Sequence, residues 1–137
     1  MAFGEDLRVD EPERGMNHYT RILESLALAR AAGDVPIGTL LLEESRRFGR
    51  HTTLVVVTPS TDDSWALALM GLSGRGVKVA AVLLEPETFG GAGSALDVYG
   101  TLAAGGVFTY TVKRSDDLTQ VLASGVAAGA AEAGSGR

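Results

Sequence analysis

Cysteine is absent from the 137-residue chain, and histidine occurs only as His18 and His51. Without thiols the chain has no thiolate metal site, redox pair or disulfide, and it suits either redox compartment. Two histidines leave little for a histidine-rich metal site. The mass of 14.2 kDa predicts one domain, which at this size buries enough surface to fold without a covalent or metal staple.

Positive charge and long apolar runs are also scarce. Twelve Lys and Arg stand against seventeen Asp and Glu, a net charge of -5, so no nucleic-acid partner is predicted. The longest apolar runs, residues 54–57 and 79–84, fall far short of the ~20 residues of a membrane-spanning helix. The first fifteen residues lack the apolar core of a secretory signal. They begin abruptly, as though a strand had been cut, which predicts a fragment of a longer protein.

Helical periodicity marks the region before residue 50. Asn17 is expected to cap a first helix and Gly33 to stop it. A second helix is predicted between Pro36 and Phe48, with Gly49 ending it. The apolar residues that recur on one face of the first helix are Tyr19, Ile22, Leu23, Leu26 and Ala29.

Three strands are predicted in the second half, and each one precedes a helix. Residues 52–58 are β-branched and apolar on both faces, which predicts a parallel strand with helices on each side. Residues 77–84 form a second apolar run, and residues 107–112 alternate as an edge strand does. Glycines at 74, 76, 105 and 106 are expected to stop the intervening helices.

Alternating strands and helices are typical of an α/β fold, and right-handed crossovers make sequential strands neighbours. We therefore predict a partial doubly wound, Rossmann-like three-layer sandwich with a short, mostly parallel sheet. The predicted organisation is an N-terminal strand remnant and loop at 1–15, an α/β domain at 16–124, and a flexible Ala/Gly-rich tail at 125–137. In a complete sheet the strand at 52–58 would pair with an earlier central strand that this sequence does not contain.

Two other patterns suggest a phosphate site or a catalytic base, but a structural role explains each of them better. The Gly-rich residues 90–94 precede a helix and could cradle phosphate, but they lack the Lys-Ser/Thr of a P-loop and are interpreted as a mobile turn. His18 or His51 could act as a base, yet no nucleophile elbow or second histidine accompanies either. No matched nucleophile, base and oxyanion hole is present, so an enzyme is not predicted.

Four segments carry a family resemblance: residues 14–27, residues 53–60 with Trp65 behind them, residues 75–77 leading to 83–84, and residues 89–91. In order and spacing they resemble the C-terminal half of bacterial proteins of domain-of-unknown-function family 58. The resemblance covers residues 2–123 and implies a von Willebrand factor A-like domain. It also implies two membrane helices and a β-rich region upstream, which this sequence lacks, and a MoxR-type AAA ATPase encoded nearby.

The same resemblance points to an incomplete metal site at Thr58, Ser60 and Asp62. A von Willebrand A domain combines an Asp-x-Ser-x-Ser motif, absent here, with a Thr and an Asp from other loops. The loop at residues 58–63 lies where the last group would come from, at the carboxyl end of a strand. No cofactor is predicted for this chain, and Mg²⁺ is expected only in a full-length domain. The alternative is that Ser60 or Thr61 caps the next helix while Asp62 and Asp63 complement its dipole.

Two functions remain open. The first is a non-catalytic protein-interaction module, the C-terminal part of a von Willebrand A-like domain, whose partner is the AAA ATPase that the resemblance implies. The second is a small doubly wound ligand- or metal-binding protein that uses the loop at residues 58–63. The first is favoured because adjacent carboxylates repel an incoming phosphate.

Location and assembly follow from the same considerations. The chain is expected in the cytoplasm, or as the soluble part of a membrane-anchored protein, reaching a membrane only through absent upstream helices. The strand at 52–58 has no Lys, Pro or inward charge to protect its exposed edge. Residues 3–9 could pair beside it, or the two preceding helices could cover it, but a homodimer through this edge is favoured because residues 3–9 carry three charges.

Overall fold

The computed structural model describes residues 2–3, 7–8, 14–30 and 32–124. The chain separates into two compact units, Met1–Pro36 and Ile37–Arg137, and each unit contains its own sheet. The predicted domain boundaries at residues 15 and 124 stay predictions, and the predicted tail at 125–137 lies outside the described residues. None of the described helices has the length and apolar content of a membrane span.

The first unit contains a pair of short strands and a helix. Strands β1 (Ala2–Phe3) and β2 (Leu7–Arg8) pair antiparallel in a sheet of their own. Helix α1 follows as Met16–Leu28. The predicted helix is therefore confirmed, but its limits differ.

Both ends of α1 differ from the prediction. Gly15 occupies the N-cap position, so the prediction of Asn17 as the cap is wrong, and Asn17 lies inside the first turn. The helix ends before the predicted stop at Gly33, because Ala29 already has an extended conformation. Gly15 makes no side-chain cap bond, and at the other end the backbone N–H of Ala29 donates to the carbonyl of Leu26, so the sequence carries little local signal for these limits.

The second unit alternates helices and strands, which confirms the α/β class. The 3₁₀ turn after β4 is a feature that the sequence pattern did not predict. In chain order the elements are α2 (Ile37–Glu43), a 3₁₀ turn (Glu44–Arg47), β3 (Thr53–Thr58), α3 (Ser64–Gly74), β4 (Lys78–Leu84), a 3₁₀ turn (Pro86–Phe89), α4 (Leu96–Ala104), β5 (Phe108–Val112) and α5 (Leu118–Ala123).

The sheet of this unit is short, open and parallel, with strand order β3-β4-β5. This confirms that the three predicted strands are neighbours in chain order and that β5 lies at an edge of the sheet that the structure describes. Two adjacent rows of side chains cross the sheet on the same face. They are Val55, Ala80 and Phe108, and Val57, Val82 and Tyr110.

The hydrophobic core lies on the other face of the sheet. Strand residues of one parity, among them Val56, Ala81 and Leu83, join a buried cluster with residues of α3 and α4. Trp65, at 0% exposure, lies in this cluster as the sequence predicts. Because strand side chains alternate between faces, this cluster lies on one face only, and Val112 at the end of β5, 4% exposed, is the buried strand residue on the other face. We call the six-residue set of Val55, Val57, Ala80, Val82, Phe108 and Tyr110 the open face.

The open face differs from the expectation that helices cover both sides of β3. Val55 is 53% exposed, Val57 59% and Phe108 48%. The apolar residues that predict a second helical layer are therefore present, but they stay accessible among the described residues.

The two helix-to-strand connections repeat one structure. Gly76 and Gly106 have φ of 93° and 70°, a region that glycine enters without the cost paid by other residues. Each lets the following valine donate its N–H to a carbonyl in the last turn of the helix, the Schellman arrangement. These bonds are Val77 N to Leu72 O at 3.2 Å and Val107 N to Leu102 O at 3.1 Å. The predicted glycine stops are thereby confirmed.

Candidate functional site

The carboxyl ends of β3, β4 and β5 lie at one edge of the sheet, because the strands are parallel. Doubly wound sheets bind ligands at this edge, in the crevice where the strand order reverses. The described order β3-β4-β5 runs in one direction without a reversal. The described strands therefore do not form such a crevice, and the loops themselves decide what this edge can bind.

The loop after β3 is built from a chain of short side-chain hydrogen bonds. The N–H of Ser60 donates to Thr58 Oγ1 at 3.1 Å, and the N–H of Asp62 donates to Ser60 Oγ at 3.4 Å. The N–H of Ser64, the first residue of α3, donates to Asp62 Oδ1 at 2.9 Å. Each acceptor lies two residues before its donor, as in Asx and Ser/Thr turns.

Asp62 supplies the start of α3 with its side-chain acceptor. The hydrogen bond from the backbone N–H of Ser64 lowers the pKa of the Asp62 carboxyl below its ordinary value, and the hydroxyl of Ser64 has the same effect to a smaller extent. Neither Ser60 nor Thr61 plays the capping role predicted for them, and Asp63 occupies the N-cap position without a side-chain bond. The negative charge of Asp62 is thus directed at the positive end of the helix.

The predicted ligands Thr58, Ser60 and Asp62 lie together in this loop, but an oxygen of each accepts a backbone N–H. Thr58 is also buried, at 6% exposure. Within the described ranges no group of three His, Asp or Glu side chains is placed to hold a metal ion. The metal site therefore stays a prediction from the resemblance.

Calorimetric titration with Mg²⁺, Mn²⁺ and Ca²⁺ is expected to show no dissociation constant below about 10 μM, because one loop leaves most coordination positions to water. A tighter constant that disappears in Asp62→Ala and persists in Asp97→Ala would contradict this. Asp97 is an exposed acid in the first turn of α4, so it controls for the loss of one negative charge.

Glu85 is a residue that sequence reasoning missed. It directly follows β4, and its Oε1 accepts the N–H of Ala95 at 3.1 Å, ten residues on, at the start of α4. A carboxylate therefore occupies the backbone donor that a phosphate would need. The only sequence signal was an acid placed directly between an apolar strand and the Gly-rich turn.

The loops along this edge are also tied to each other. Thr88 Oγ1 accepts the N–H of Arg114 at 3.1 Å and donates to the carbonyl of Glu85 at 2.9 Å. A Cβ added at Gly93 would lie 3.3 Å from Cγ2 of Thr61, so the loops after β3 and β4 are in close contact. The described loops at this edge therefore contact one another and are joined by hydrogen bonds.

Of the two histidines, His51 lies in the same unit as these loops but at the opposite end of β3. His51 precedes β3, at the amino end of a six-residue strand, so about 20 Å of extended chain separates it from the loop after that strand. His18 lies in α1, in the other unit. The structure therefore does not bring His51 to the residues of the predicted metal site.

The open face is the second candidate site. Its six side chains carry no charge, and Lys78 stands one row away on the same face, at the amino end. Parallel sheets are ordinarily covered by helices on both faces. The sequence pattern predicted two apolar faces but could not show which of them an element of the same chain covers.

No family model matches the chain, and no curated protein and no solved structure is significantly similar to it. The likeness to domain-of-unknown-function family 58 and to von Willebrand A-like domains accordingly stays a prediction.

Proposed function

We propose that the chain is a non-catalytic protein-interaction module that presents the open face of its sheet to another protein. The observation that carries this proposal is the exposure of Val55, Val57 and Phe108 on a parallel sheet. Such faces are normally buried, and exposed apolar patches on soluble proteins mark interaction surfaces.

The chemistry of the face indicates the kind of surface that would cover it. It is uncharged and three strands wide, which at about 4.8 Å between strands is close to the ~10 Å diameter of one helix. An amphipathic helix of a partner would complete the helical layer that α/β sheets require. Burial would contribute about 25 cal/mol for each Å² of apolar surface removed from water.

The resemblance supplies a candidate for that partner. If the chain is the C-terminal part of a von Willebrand A-like domain, a MoxR-type AAA ATPase is the partner it implies. The proposal then places the chain in the cytoplasm or in the soluble part of a membrane-anchored protein. In this proposal the chain catalyses no reaction, and the AAA ATPase is the energy-consuming component of the complex.

The ligand- or metal-binding alternative has no comparable support. Oxygens of Thr58, Ser60 and Asp62 are engaged by backbone donors of their own loop. Glu85 engages the N–H of Ala95 where an anion would bind. A ligand at this edge would first have to break these turns.

Site-specific photo-crosslinking in cells tests the proposal. A photoreactive amino acid at Phe108, 48% exposed on the edge strand away from β3, is expected to give one discrete adduct with a protein other than this chain. The same amino acid at Leu67 of α3, 58% exposed, is the matched control and should give none. Equal adducts from both positions, or none from Phe108, would contradict a role for the open face.

A further inference from the structure

The outer edge of β3 has no strand beside it within the described residues. Its sequence, TLVVVT, contains no charge, proline or glycine. Natural sheets usually protect an edge with lysine, proline, a bulge or a very short strand, because unpaired N–H and C=O groups invite another strand. β3 shows none of these devices over six residues.

We propose that β3 of one copy pairs antiparallel with β3 of a second copy, which joins two three-stranded sheets into one of six strands. Sheets of about four to six strands are the commonest size. This inference concerns the edge of β3 and not the open face. It can therefore fail while the proposed function stands, and the reverse also holds.

The strand is its own complement in this pairing. A two-fold axis perpendicular to the sheet keeps equivalent faces on the same side, so opposed residues must have the same parity. With the axis at Val56, Val55 of each copy lies opposite Val57 of the other, and Leu54 lies opposite Thr58. Every apolar residue of the open face of β3 thus meets another, and no charges meet although each chain carries a net charge of -5.

The other edge of the sheet is a poorer candidate. β5 contacts α5, and the charged residues Lys113 and Arg114 follow it directly. Charged and covered edges resist pairing. A second copy is favoured over an unrelated strand at β3 because the same residues supply both sides with matching side chains.

The size of the contact sets the expected strength. Edge pairing of one six-residue strand buries less than the roughly 1,200 Å² of a standard interface. The dimer is therefore expected to be reversible, with a dissociation constant in the micromolar range, and sedimentation across a concentration series should show it.

Two lysine variants on one row separate edge pairing from other contacts. Val55 and Phe108 lie in the same row of the open face but on opposite edge strands, and both are about half exposed. Val55→Lys is expected to weaken dimerisation at least about tenfold through an edge charge. Phe108→Lys, the matched control, should leave the dissociation constant unchanged. Circular dichroism would verify that both variants fold.

A mixing experiment then tests the register. Val57→Asp should also weaken self-association, whereas Val57→Asp mixed with Val55→Lys should associate again, because the proposed pairing places the two substituted positions opposite each other. A species of 14.2 kDa at every concentration up to about several hundred micromolar would overturn the proposal. An equal loss of dimer in Phe108→Lys, or a mixture that stays monomeric, would overturn it too.

Discussion

Replacing Trp65 with alanine is expected to lower the free energy of unfolding by about 3 to 5 kcal/mol, the usual range for removing a large aromatic side chain from a core. Trp65 is fully buried in the first turn of α3. It belongs to the cluster that joins α3 to Leu83 on the central strand and to Val98 on α4. Its loss would leave a cavity where helices and sheet meet. Urea denaturation followed by far-UV circular dichroism measures the effect.

Trp65→Phe is the control that separates the loss of side-chain volume from the loss of the polar indole N–H. The indole N–H at Nε1 is buried and has no hydrogen-bond partner within the described residues. A buried donor without a partner costs about 1 to 3 kcal/mol, so phenylalanine loses volume but removes that cost. We expect Trp65→Phe to lie within about 1.5 kcal/mol of the parent, inside the range of tolerated apolar exchanges. An alanine variant that unfolds at the parent's urea midpoint would show that Trp65 is not part of the core.

Local signals made the second unit predictable. The limits of α3 and α4 depend on Gly76 and Gly106, whose conformations close the helices within a few residues. The cap of α5 is equally local, since Asp117 Oδ1 accepts the N–H groups of Thr119 and Gln120. These contacts span two to five residues along the chain, so a short sequence pattern contains both partners.

The features that could not be predicted depend on residues distant in sequence. Glu85 meets Ala95 only because the turn at Pro86–Phe89 folds the loop back. The open face carries the same alternation that a covered face would carry, because alternation indicates that a side chain is apolar and not what covers it. The metal-site hypothesis has the same weakness: the order Thr58, Ser60 and Asp62 suits metal ligands, and it equally suits side chains that accept backbone N–H groups within their own loop, as these three do.

Substituting Gly38 by leucine is expected to destabilise the second unit by about 1 to 3 kcal/mol, the cost of overpacking a close contact. Gly38 is buried in α2, which packs on α3. A Cβ at this position would lie 3.4 Å from both Cα and N of Trp65 and 3.5 Å from Oγ of Ser64. One methyl group therefore fits in ordinary van der Waals contact, whereas a longer side chain must push α2 away from the start of α3.

Gly38→Ala gives the opposite result if this packing is right. Alanine fills the available space and favours the helix by about 1 kcal/mol relative to glycine, so this variant should be as stable as the parent or more stable. Trp65 is the only tryptophan and lies at the contact, so its fluorescence during urea unfolding reports both stability and the local environment. The leucine variant should shift the emission of the folded state and the alanine variant should not. Equal stability of the two variants would mean that α2 does not approach α3 closely at Gly38, and that the start of α3 is held by the Asp62 bond to Ser64 alone.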